Sequence, residues 1–230
     1  IPDPRHSGGT RPVASTVSEV ASHLRRNSGF FWSVFLGVAA VNLSVLGTVA
    51  WLPAMLIRGS GVAISNAGYI SGMMLIAGGL IGMIGFGWVM DRIGGGTPAS
   101  RMNFCGWSTG LAVLAGAAFP LVGSLWAMAF LFIAFFSAAA GVVSAAPSVL
   151  QQLSPGGMRA TVASVYVFVI NLVGIGFGPS VTAALGDTLF PGGDGIRYAM
   201  AIVAPCGYAI GAILFFNAAR HAARTPSTAG

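Results

Sequence analysis

The sequence predicts an all-α membrane protein built as a bundle of six transmembrane helices. Three observations predict it: too little charge for a soluble fold, uncharged segments of bilayer length, and arginines gathered in the turns between them. Hydrophobic residues make up 55% of the 230-residue chain and charged residues 7%, with a mean hydropathy of +0.83. A soluble domain carries about 25% charged residues, and a water-soluble fold of this length could not hide so much apolar surface. No Asp, Glu, Lys or Arg interrupts residues 30–57, 59–90, 102–158, 160–186 or 198–219. A helix needs roughly 20 apolar residues to cross the hydrocarbon. Four segments therefore hold one span each, and the third, 57 residues long, holds two, divided at Pro120 and the Leu-Val-Gly that follows.

The six expected spans are 30–52, 67–90, 102–119, 124–150, 161–185 and 198–219. All eleven basic residues are arginine, and short cytoplasmic loops prefer positive charge. With the amino end inside, Arg5, Arg11, Arg25, Arg26, Arg92, Arg101, Arg159, Arg220 and Arg224 fall on the cytoplasmic side, leaving only Arg58 and Arg197 outside. Nine against two predicts a multi-pass protein of the inner or plasma membrane with both termini cytoplasmic. The net charge of +6 is thus a topology signal, its partner the lipid bilayer, and nucleic acid is discounted.

Residues 1–12, rich in Pro, Gly, Arg and Ser, read as a cytoplasmic linker. In residues 13–26, Val13, Val17, Val20 and Leu24 recur at helical spacing, with Ser18, Glu19, Ser22, Arg25 and Arg26 on the other faces. Thr16 and Glu19 have the form of a capping box. This stretch reads either as a short amphipathic helix on the inner membrane surface, its arginines near anionic lipid, or as a tether. Residues 27–221 form the transmembrane domain and 222–230 a cytoplasmic tail.

Glycines recur four apart inside the spans, as Gly68 with Gly72, Gly78 with Gly82, Gly106 with Gly110 and Gly174 with Gly178. In lipid such pairs let backbones approach and gain dispersion contact. No short internal repeat is evident. Cys105 and Cys206 fall within spans and act as small apolar residues.

Polar residues within spans mark a cavity more often than a lipid face. On the fifth span Ser164 and Asn171 lie seven apart, about 20° short of two full turns, with Phe168 between them. On the first span Ser44, Thr48 and Trp51 share a face and Asn42 lies on another. On the fourth, Ser137, Gly141, Ser144 and Ser148 align, as a pore face or a packing seam. Gly174 through Pro179 reads either as a point where a helix bends during gating or as simple close packing.

No span carries Asp, Glu, Arg or His near its middle, and His6, His23 and His221 all lie outside the membrane core. That removes a serine-histidine dyad, a HExxH zinc site and most proton shuttles. A second membrane aspartate is also lacking for an aspartyl protease. The chain is expected to be no enzyme and to hold no metal or cofactor.

Two segments carry a family resemblance. Gly87-Trp88-Val89-Met90-Asp91-Arg92-Ile93-Gly94, after the second span, resembles the cytoplasmic loop signature of the major facilitator superfamily. Pro155 to Thr161, then Asn171 to Pro179 and Gly186-Asp187, resemble the region around the eleventh helix of those transporters, notably the Spinster-like bacterial members. Trp51-Leu52-Pro53 fits the same group. The resemblance runs from about Val13 onward, in order, as helices seven to twelve.

It implies the C-terminal half of a facilitator-type fold and a secondary active transporter that moves a small organic solute by alternating access. The amino-terminal six helices, a necessary partner, are absent from this piece, and the opening Ile1-Pro2-Asp3-Pro4 looks cut. The cavity candidates it implies are Asn42, Thr48, Trp51, Tyr69, Ser144, Ser164, Tyr166, Phe168 and Asn171. The gate candidates are Gly87, Asp91, Arg92 and Gly94 with Arg159, and the bending or packing set is Gly174, Gly178 and Pro179. Gly95 and Gly96 replace the family's usual basic pair, which weakens the expected gate contact; Asp91-Arg92 could alternatively do no more than end a helix. A six-helix channel or a non-transporting assembly subunit is the competing reading, disfavoured because no filter-like loop or charge ring is present.

Overall fold

Backbone groups inside a bilayer must be paired within the chain, by a helix or a closed barrel, and segments this long suit the helix; the computed structural model has them helical apart from the turns at 61–63, 119–124 and 153–155. The structure describes residues 17–93 and 96–224. The linker, Thr16, Gly94 and most of the tail lie outside the described residues. The helices are α1 (Val17–Arg26), α2 (Ser28–Ser60), α3 (Ile64–Leu80), α4 (Phe86–Ile93), α5 (Pro98–Ala118), α6 (Leu125–Gln152), α7 (Arg159–Leu189) and α8 (Gly195–Arg224). A π-helical turn, Ile81–Gly85, joins α3 to α4 so that the two make one crossing. The six expected spans correspond to α2, α3–α4, α5, α6, α7 and α8.

Most helix ends overrun the expected bounds. Pro53 does not end α2, which continues to Ser60 and closes on Gly61, whose φ of 65° is the left-handed conformation that favours glycine. Helix α5 starts at Pro98, capped by the Thr97 side chain accepting from the Ser100 N–H. Its first turn includes Arg101, whose Nη1 donates to Ser148 Oγ on α6 at 3.0 Å. Among the described residues five crossings are long and apolar enough for a membrane, and α5 is not among them. Its 21 residues would still reach about 31 Å at 1.5 Å per residue, and its partners α6 and α8 flank it.

The principal packing pairs are α2 with α8, α5 with α8, α2 with α7, α5 with α6, and α3 with α6. Exchanging α2 for α6, α3–α4 for α7 and α5 for α8 maps this set onto itself, the pattern of a 3+3 inverted repeat. The α7–α8 contact has no comparable counterpart. Contacts fix the directions. On α2 and α7 they advance together, Asn42 against Gly174 and Gly47 against Gly178, so the two run parallel. On α2 and α8 they run oppositely, Gly37 against Phe215 and Ser44 against Gly207.

Glycine decides how closely several of these pairs approach. A Cβ at Gly78 would lie 3.0 Å from the Phe136 ring, and one at Gly82 would strike the Ser137 carbonyl. Gly178 and Gly47 bring α7 and α2 into backbone contact in the same way. Gly68 and Gly72 face open space, and Gly106 meets only the Phe216 ring among close neighbours. Deeper in, Phe119, Phe132, Phe135 and Tyr208 are fully buried; Phe135 stacks on Tyr208 at 4.3 Å, and the Tyr208 hydroxyl donates to the Phe135 carbonyl at 2.8 Å. Each such ring pair contributes about 0.5–1.5 kcal/mol beyond area burial.

Candidate functional site

The candidates divide by which side of α2 and α7 they occupy. Helix α7 buries Val162, Tyr166, Ile170, Gly174, Gly178, Thr182 and Gly186, every fourth residue, which is one i±4n ridge of the helix surface. From Tyr166 to Thr182 that ridge lies against α2, while Gly186 meets Gly195 at the start of α8. The Asn42 Nδ2 donates to the Ile170 carbonyl at 2.7 Å, directly above Gly174, where any Cβ would collide with the amide. One turn outward, a Cβ at Gly178 would lie 2.8 Å from the Gly47 nitrogen and from the Leu43 carbonyl. At the outer end the Trp51 Nε1 donates to the Pro179 carbonyl at 3.1 Å.

Thr48 is fully buried and donates to the Ser44 carbonyl at 2.6 Å, while Ser44 donates to the Val203 carbonyl of α8 at 2.7 Å. Asn42, Thr48 and Trp51 therefore spend their donors on the backbones of their own bundle. Tyr166 is buried too, its ring 6.4 Å from that of Phe35. Its hydroxyl has no partner among the described residues.

The other candidates are exposed. Ser164, Phe168 and Asn171 lie together on the opposite face of α7, with Phe168 65% exposed. Ser164 donates to the Ala160 carbonyl at 3.0 Å and Asn171 to the Val167 carbonyl at 2.8 Å. These bonds to the helix itself leave the Asn171 side-chain oxygen without a partner among the described residues. Tyr69 on α3, 71% exposed, and Ser144 on α6 are exposed on their own helices. A shallow cavity lined by Met55, Arg58, Asp194 and Arg197 lies at the outer ends of α2 and α8, away from all of them.

At the other end, α4 carries the loop signature. Arg92 is exposed, its guanidinium 4.1 Å above the Trp88 ring, a cation–π contact. No neighbour comes within 4 Å of a Cβ built at Gly87, so in this bundle its small size admits nothing. The side chain of Asp91 and all of Gly94 lie outside the described residues. Arg159 opens α7 and donates through Nε to the Ser154 carbonyl at 3.2 Å. Pro179 is half-buried and α7 continues through it. Among the described residues no group of His, Cys, Asp or Glu could hold a metal.

Sequence reasoning missed the π-turn. It adds one residue to a turn and rotates the remainder of the crossing by about 100° relative to an unbroken helix, and Phe86 after it inserts against Gly141 of α6 and Phe104 of α5, ring centroids 5.3 Å apart. It also missed Arg197, whose Nε and Nη2 donate to the Pro120 and Leu121 carbonyls, the latter at 2.7 Å, pinning the α5–α6 turn. Both were faintly signalled, by the Gly82 and Gly85 pair and by an arginine on the sparsely charged outer side.

Comparison with known proteins gives a family and a fold. The family model of the Major Facilitator Superfamily matches residues 1–179. Two solved structures of a bacterial homologue of the human lysosomal transporter Spinster are similar. The inward-facing, unoccupied form matches at 20% identity and TM-score 0.73, over 95% of this chain and 54% of that one. The inward-facing, occupied form matches at 21% identity and TM-score 0.61, over 86% and 49%. The chain thus spans about half the length of these transporters. No curated protein matches it significantly.

Proposed function

This chain belongs to the major facilitator superfamily, a family of multi-pass membrane transporters rather than enzymes, and on that premise we propose that it is the C-terminal half of a secondary active transporter. Helices α2 to α8 correspond in this reading to helices seven to twelve, and they rock against a second six-helix half about a mid-membrane site. The observation that carries it is the exposed stripe Ser164, Phe168 and Asn171 on α7. An amide in an apolar span is costly against lipid and is retained where water or a solute meets it.

Burial supports the same placement. Within the apolar 18-residue centre of each crossing, 22% of residues are buried in α3–α4 and 22% in α7, against 44% to 61% in α6, α8 and α2. These two crossings occupy equivalent places in the internal two-fold, so both edges of the bundle offer surface to a second half. The substrate class proposed is a small organic solute, since Phe168, Tyr69, Ser164, Ser144 and Asn171 supply aromatic and neutral polar surface without a charge. Asn42, Thr48, Trp51 and Tyr166 stand behind that surface as positioning residues. The segment Gly87 to Gly94, with Arg159, forms the gate at the cytoplasmic end, with both termini on the inner side of the cell membrane.

The test is aqueous access. In the complete transporter, cysteines placed at Ser164 and Asn171 are expected to react with a membrane-impermeant maleimide. Protection of both, in inward- and outward-facing states alike, would remove α7 from the pathway.

A further inference from the structure

The start of α2 and the end of α8 lie side by side. Asn217 Nδ2 donates to Ser33 Oγ at 2.9 Å, and a Cβ at Gly29 would lie 2.6 Å from the His221 ring. At 100° per residue, Arg220, His221 and Arg224 fall within about 60° of Asn217 around α8, on the side turned to α2. Arg25 and Arg26 close α1 one residue before α2 begins at Ser28. Helix α1 is fixed there: Val20 is buried, and the His23 ring is 3.3 Å from the Leu153 carbonyl and packs edge-on to Phe31.

Arg25, Arg26, Arg220 and Arg224 are all exposed, and no guanidinium among them has a hydrogen bond or ion pair among the described residues. Topology alone requires positive charge at this end, but not four guanidiniums gathered at one helix seam. Below them on α2, the next helical positions beside the seam are Trp32 and Leu36, exposed at 56% and 48%. Guanidinium forks match phosphate oxygens, an exposed indole suits the headgroup level, and an exposed leucine one turn deeper suits an acyl chain.

We propose that the inner end of the α2–α8 seam binds an anionic phospholipid. Its phosphodiester lies among Arg25, Arg26, Arg220 and Arg224, and its acyl chain runs along Trp32 and Leu36. A free phosphate would use the arginines but leave the apolar steps bare. The site needs only that the chain sits in a bilayer and is independent of the transport reading.

The full chain in nanodiscs of equimolar phosphatidylcholine and phosphatidylglycerol provides the test, since both leaflets are alike and orientation does not enter. Native mass spectrometry is expected to find phosphatidylglycerol retained in preference. Each arginine near an anionic surface contributes about fivefold to binding, so R25S with R26S should weaken retention about 25-fold, as should R220S with R224S. The lysine versions of each pair should keep most of it, W32A should weaken it, and R58S at the opposite end should leave it unchanged. Circular dichroism melts identify any pair that fails to fold, and the other pair then decides. Equal retention of the two lipids by the unaltered chain overturns the site, as does a preference that survives both pairs. Binding of soluble glycerophosphoglycerol as tight as that of the lipid also overturns it.

Discussion

Gly178→Ala is expected to unfasten α2 from α7. The new methyl would lie 2.8 Å from the Gly47 nitrogen and 2.8 Å from the Leu43 carbonyl oxygen, both backbone atoms that no rotamer change can move. Carbon prefers roughly 3.5 Å from such neighbours, so the helices must part by about 0.7 Å, which forfeits about a quarter to a half of each dispersion well along the seam. The same movement stretches the Asn42–Ile170 bond from 2.7 Å to about 3.4 Å and the Trp51–Pro179 bond from 3.1 Å to about 3.8 Å, at or beyond the range of a useful hydrogen bond. Overpacking costs about 1–3 kcal/mol and each interhelical hydrogen bond in a membrane about 0.6 kcal/mol, giving a loss of about 2–4 kcal/mol. Gly176 supplies an internal control, because it is exposed and a Cβ there meets nothing within 4 Å. Gly176→Ala should be neutral, or stabilising by up to about 1 kcal/mol of helix propensity. Unfolding of the purified chain in mixed micelles by increasing SDS, followed by circular dichroism, separates the two. Equal midpoints, or a more stable Gly178→Ala protein, would refute the close backbone contact.

Asn42→Leu removes a donor to the Ile170 carbonyl and pushes a branched side chain at Gly174, so a destabilisation of about 1–3 kcal/mol is expected in the same assay; Asn171→Leu, on the exposed face, should cost less than half as much. Deleting Ile84 should be tolerated, because removing one residue from the π-turn restores an α-helix with both flanking faces in register. Deleting Met73 from regular helix instead rotates Gly78 and Gly82 off α6 by about 100°, and the yield of monodisperse protein distinguishes the two. Arg197→Gln removes the tie to Pro120 and Leu121 and should raise hydrogen exchange in residues 119–124 while leaving 170–180 unchanged.

The crossings were legible because charge segregates so sharply along the chain, and that signal needs no tertiary information. Their ends were less so. Arg101 served as a boundary, yet it lies inside the first turn of α5 with its guanidinium bonded to Ser148, while the Thr97-Pro98 cap before it was the better marker. The glycine pairs were visible as pairs, but only a partner helix distinguishes Gly78 and Gly82, pressed on α6, from Gly68 and Gly72, which face open space. The polar residues of the spans were visible as well. Which of them meet a neighbour's backbone depends on the face each occupies, and an apolar span hides its faces: on α7 the buried Ile170 and the exposed Ile175 are the same residue type. The period-four burial of that helix has no echo in hydropathy, so Asn42 and Asn171 look alike in sequence although one ties helices together and the other does not.

A unit copied once and inverted should leave matching landmarks, and it does: Gly78 and Gly82 stand to α6 as Gly174 and Gly178 stand to α2, at a common offset of 96 residues. Beyond Gly82 the correspondence slips by one, because only the first copy carries the extra residue of the π-turn. Ungapped self-comparison therefore loses the kinship of the two triplets just past their shared glycines, and a single gap placed among residues 81–85 is what should bring the two halves of the chain back into step.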